Sequence, residues 1–90
     1  MRHKYQINLI SDSTGETLDR IFLALKSQFS NFNCEKKEYV FVRTEQQINE
    51  IIKKCEGKKN VIILYTVVET KIDKHIKQAC EKKKYPALVF

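Results

Sequence analysis

The sequence predicts an α/β domain with a parallel sheet, in which strands and helices alternate in the order βαβαβαβ and the sheet is incomplete. Two observations predict this. Short apolar runs recur at Tyr5–Ile10 (YQINLI), Tyr39–Val42 (YVFV), Asn60–Thr66 (NVIILYT) and Ala87–Phe90 (ALVF), and between them the apolar residues repeat at helical spacing. The runs are also nearly continuous, as expected of strands buried on both faces. Strand–helix–strand units of this kind cross over right-handed and put helices on both sides of a doubly wound sheet.

In chain order, Tyr5–Ile10 leads into Ser11–Thr17 (SDSTGET), a run of turn formers and helix starters. Leu18, Ile21, Phe22, Leu25 and Phe29 form one stripe, which predicts a helix from about Thr14 to Phe29. Ser13 and Glu16 have capping-box spacing. The polar segment Ser30–Lys37 reads as a loop and Tyr39–Val42 as a second, buried strand. Thr44 then caps a helix whose stripe is Ile48, Ile51, Ile52 and Cys55, with Glu45 in its first turn and Gly57 as its stop.

Asn60–Thr66 is the clearest strand, rich in β-branched residues. A third helix over Glu69–Lys84 has Ile72, Ile76, Ala79 and Cys80 on one side and charge on the other, and Pro86 ends it. The closing run Ala87–Phe90 is a fourth strand with nothing after it to cover it. A missing C-terminal half or a second copy is the expected cover.

Ninety residues give room for one domain, 1–90, and not for two. The 17 Lys and Arg against 11 Asp and Glu leave a net charge of +6, which favours polyanions at low salt. Yet Lys53, Lys54, Lys58, Lys59 and Lys82–Lys84 gather where helices end. Cations there stabilise the helix dipole by about 0.3–1 kcal/mol each, so nucleic-acid binding is not expected.

Cys34, Cys55 and Cys80 have no paired spacing, and His3 and His75 have no ligand spacing, so neither a redox couple nor a metal site is expected. The sequence shows no leader and no apolar segment of about 18 residues, which points to a cytoplasmic protein without membrane contact.

Sheets of this class bind ligands beyond the carboxyl ends of their strands. That rule selects Ser11, Asp12, Ser13, Thr14, Gly15 and Thr17 after the first strand, Arg43 and Thr44 after the second, and Thr66–Thr70 after the third. The first group offers hydroxyls, free amides and a helix start to a phosphate; the plainer reading is a helix cap and a turn. Arg43 could supply a bidentate phosphate contact.

Thr14, Gly15 and Thr17 look like the T-G-x-T portion of the flavodoxin phosphate loop, which gives a stand-alone phosphate- or mononucleotide-binding module as the alternative. Asp12 opposes it. A carboxylate about 4 Å from a phosphate costs ~4 kcal/mol at an effective dielectric near 20, against ~1 kcal/mol returned by a helix dipole. Asp12 would have to turn away, or hold a cation, or orient a hydroxyl. The loop after the third strand also lacks an aromatic to stack on a flavin.

The run ISDSTGETLDRIFLALKSQF, Ile10–Phe29, resembles the opening of the regulatory proteins of pyruvate, phosphate dikinase and phosphoenolpyruvate synthase. YVFVRT at Tyr39–Thr44 and VIILYTVVETKIDKHI at Val61–Ile76 look like that family's next two strand-to-helix turns. The resemblance implies a bifunctional serine/threonine kinase and phosphorylase. With ADP as donor it phosphorylates a threonine of the dikinase or synthase, and with phosphate it reverses the modification. It also implies that Ser11–Thr17 is a shared loop, without assigning catalytic roles.

The family's nucleotide loop, a G-x-S-R-x-x-K-T run, lies in the later half of a longer chain and does not occur in this sequence. Phosphoryl transfer is mostly positioning and charge neutralisation by such a loop. The 90-residue chain alone is therefore expected to hold no nucleotide and to lack kinase activity.

Overall fold

The computed structural model describes residues 4–28 and 33–90. Its elements are β1 (Tyr5–Ser11), α1 (Glu16–Gln28), β2 (Cys34–Tyr39), α2 (Glu45–Cys55), β3 (Val61–Thr66), α3 (Thr70–Lys83) and β4 (Ala87–Val89). All pairings are parallel, in the order β2-β1-β3-β4. The first crossover runs one way from β1 and the second runs back past it, so the chain reverses direction between β1 and β3. α1 lies on one face; α2 and α3 pack together on the other.

Strand parity decides which residues reach each face. Ile7 and Leu9 of β1 and Leu64 of β3 meet Leu18 and Phe22 of α1. Ile10, Ile63 and Tyr65 point the other way, into a larger core with Ile48, Ile51, Ile52 and Cys55 of α2 and Ile72, Ile76 and Cys80 of α3. The Tyr65 hydroxyl donates to Asp73 Oδ1 at 2.8 Å, tying β3 to the first turn of α3. Burial, then this bond, pushes the Tyr65 phenol well above its ordinary pKa.

The second strand departs from expectation. The sequence places it at Tyr39–Val42, whereas β2 occupies Cys34–Tyr39 (CEKKEY), beginning inside the expected Ser30–Lys37 loop and ending on the first residue of the expected strand. The expectation required a strand buried on both faces, but β2 is an edge strand and is stabilised by charge. Lys36 Nζ lies 2.9 Å from Asp19 of α1 and 2.8 Å from Glu38, and 5.4 Å from the centroid of the Phe22 ring. Lys37 pairs with Glu35 at 3.0 Å. The apolar run that resembled a strand is a loop: Val42 turns into the α2–α3 core, while Val40 and Phe41 stay exposed.

Residues 30–32 of the expected loop, and Phe29 and His3, lie outside the described residues. The remaining boundaries fall close to expectation. Thr44 caps α2 in a full capping box with Gln47. α3 begins one residue later than expected, after Glu69, and ends at Lys84 in the left-handed region. Asn60, expected to open β3, is left-handed (φ 57°) and precedes the strand.

Candidate functional site

The carboxyl ends of β1, β2 and β3 lie side by side, so the loops that follow them form one rim with the SDSTGET loop in the middle. Ser11 is buried at the end of β1. Its Oγ accepts the Ser13 amide at 3.1 Å and lies 3.3 Å from the Ser13 hydroxyl, which closes a tight turn. Gly15 follows with φ +85°, and a β-carbon there would come within 3.1 Å of Val40 Cγ1. A left-handed backbone and close contact with a neighbouring loop both require glycine. The Gly15 carbonyl accepts the Asp19 amide at 3.0 Å, so Gly15 caps α1. The expected Ser13–Glu16 capping box does not form, because the Ser13 hydroxyl turns back to Ser11.

The β2–α2 loop is bonded to one side of this turn. The Val42 amide donates to the Ser11 carbonyl at 2.9 Å, and the Phe41 amide to the Ser13 carbonyl at 3.0 Å. Phe41 has φ +53°, a region that a bulky residue adopts only at a cost. It is fixed there by Gln47, whose Nε2 donates to the Phe41 carbonyl at 3.3 Å and whose Oε1 accepts the Arg43 and Thr44 amides at 2.7 and 3.0 Å. The ring is 50 % exposed, with the Arg43 guanidinium 5.4 Å from its centroid. Arg43 Nε also donates to the Asp12 carbonyl at 3.2 Å.

The β3–α3 loop is bonded to the other side. The Asp12 amide donates to the Thr66 carbonyl at 3.3 Å, and Asp12 Oδ2 accepts the Val68 amide at 2.8 Å. The Asp12 carboxylate thus faces the β3–α3 loop and fastens it. The Val68 side chain is left 90 % exposed.

Of the residues selected by sequence, Ser11, Asp12, Ser13 and Arg43 join one bonded unit with the flanking loops, Gly15 bonds into α1, and Thr14 and Thr17 are exposed at the mouth of α1. Phe41 and Gln47 escaped sequence reasoning, while Val68 falls within the selected segment Thr66–Thr70 without being singled out. Gln47 had a legible signal in its T-x-x-Q spacing from Thr44. Phe41 had none, since a left-handed aromatic leaves no compositional mark. Among the described residues no cluster of His, Cys, Asp and Glu could hold a metal, and no helix is long and apolar enough to cross a membrane.

Hollows lie away from the rim. One of about 330 Å³ is lined by Lys53, Lys82 and Lys83 between α2 and α3. Another of about 370 Å³, at the amino edge of the sheet, is lined by Lys58, Lys83, Lys84 and Tyr85. Both sit by helix C-termini, where lysines offset carbonyl charge and an anion gains nothing from the dipole.

The Kinase/pyrophosphorylase family model matches residues 7–90, from β1 through β4. The chain belongs to the Kinase/pyrophosphorylase family. A relative from Pelagibacter ubique, named as a pyruvate, phosphate dikinase regulatory protein, is 50 % identical over 86 residues, covering 96 % of this chain and 31 % of the relative. Relatives of the same name from Rhodopseudomonas palustris and Hyphomonas neptunium are 30 % and 32 % identical over 84 residues, covering 93 % of this chain and 30 % of each. The chain therefore spans about a third of the length of these Kinase/pyrophosphorylase relatives.

Proposed function

We propose that this chain is the N-terminal α/β unit of a regulator of pyruvate, phosphate dikinase, and that its carboxyl-edge rim contacts the target protein. In the whole regulator, ADP-dependent phosphorylation of a threonine would inactivate the dikinase and phosphate-dependent dephosphorylation would restore it. The family match over residues 7–90 carries this reading. Phosphoryl transfer is assigned to the nucleotide loop that these 90 residues lack.

The rim geometry favours target contact over capture of free phosphate. Asp12 turns its carboxylate to the Val68 amide, yet its charge stays beside the turn, where it repels a phosphate. Glu16 occupies the first turn of α1, where a bound phosphate would have to sit. Arg43 is engaged with a carbonyl and a ring rather than free to grip an anion in bidentate fashion.

The test mixes the purified chain with the dikinase from the same source. Association is expected, and so is the absence of label transfer from ADP. A Ser13→Ala, Thr14→Val double variant should bind more weakly while keeping its fold. Measurable transfer by the 90-residue chain would refute the assignment of chemistry elsewhere; failure of the unsubstituted chain to bind would refute target contact.

A further inference from the structure

Two large apolar side chains flank the SDSTGET turn from opposite sides, both rigidly mounted and exposed. Phe41 is 50 % and Val68 90 % exposed. Neither is loose: Phe41 is bonded through its amide to Ser13 and through its carbonyl to Gln47, and the Val68 amide is bonded to Asp12. A bulky residue in left-handed backbone, turned to solvent and stacked with an arginine, costs stability without filling the core. Exposed aromatic and arginine side chains on a fixed frame have the composition of a protein-binding hot spot, with little entropy left to lose on association.

The charge at this edge narrows the partner. Asp12, Glu16 and Glu69 stand at the rim against the single guanidinium of Arg43, and none of the three carboxylates makes an ion pair among the described residues. Glu45 pairs with Lys71 at 3.7 Å and lies 3.1 Å from His75 Nδ1. The rim is thus locally acidic on a chain of net charge +6, whose lysines crowd the opposite edge. A cationic partner is drawn to this end of the molecule and turned away from the other.

We propose that the rim docks a segment of the target protein that carries an apolar side chain, received by Phe41 and Val68, beside a lysine or arginine received by Glu16 and Glu69. This rests on the target-contact reading above and deepens it: these side chains select the segment rather than take part in the chemistry.

The experiment is titration of the full 90-residue chain against purified dikinase by biolayer interferometry at two salt concentrations. Phe41→Gly and Val68→Ser should each weaken binding about tenfold, and Glu69→Lys should slow association and flatten its salt dependence. Lys58→Gln, at the far edge, should bind like the unsubstituted chain. Phe41→Gly suits a residue already at positive φ, so its circular dichroism should stay native.

Unchanged affinity for folded Phe41→Gly and Val68→Ser overturns the docking proposal and leaves target contact standing. No binding by the unsubstituted chain overturns both. If sedimentation shows the same two variants breaking a dimer of the chain, the occupant is a second copy and the proposal also fails.

Discussion

Gly15 is the residue on which the rim depends most. A side chain there meets both the penalty of φ +85° and contact with Val40 Cγ1 at 3.1 Å. Gly15→Ala should cost about 1–2 kcal/mol in denaturant unfolding and loosen the β2–α2 loop. Asn8 is the opposite case. It is wholly buried in β1, and its Oδ1 accepts no hydrogen bond among the described residues. An orphaned buried acceptor costs on the order of 1–3 kcal/mol, so Asn8→Val should raise stability by about 1 kcal/mol. The cysteines divide by burial: that of Cys80 pushes its thiol up to about 11, and Cys55 is also raised by burial. Iodoacetamide on the native chain should label half-exposed Cys34 first and reach Cys55 and Cys80 only on unfolding, as read by mass spectrometry.

Among the elements, β1, β3 and the three helices were legible because each must bury a periodic or continuous apolar face. β2 was not, because an edge strand stabilised by lysine stems and ion pairs shows neither pattern. Its misplacement shifts Val40 and Phe41 out of the loops and hides half of the rim, although Arg43 still lies in the loop after the second strand. The β2 charges also predict a pH response. Hydrogen bonding by Lys36 lowers the Asp19 carboxyl below its ordinary value, and Lys37 does the same for Glu35. A depressed folded-state pKa adds stability that is present above the unfolded value, near 4, and is lost as pH falls through the folded one. Amide resonances of β2 should therefore broaden or shift on acidification below about pH 4, before those of β3. At the α2 start the capping box makes Thr44→Ala cost about 1 kcal/mol in thermal unfolding, with Arg43 and Phe41 displaced as Gln47 loses its partner.

At the scale of the molecule the two sheet edges are built differently. β2 presents Lys and Glu to solvent, a pattern that discourages further pairing, whereas β4 presents Leu88 and Val89, followed by Phe90, each about half exposed. The two faces differ as well. α2 and α3 enclose the larger core, while α1 covers the other face with Leu18 and Phe22 as its buried residues. Local opening should follow that imbalance, with amide exchange slowest in β3 and fastest, among the helices, in α1. The SDSTGET turn is continuous with α1, so the turn rides on the helix expected to open most easily. A partner seated on the rim would then register as slowed deuterium uptake along the whole of α1, well beyond the residues it touches.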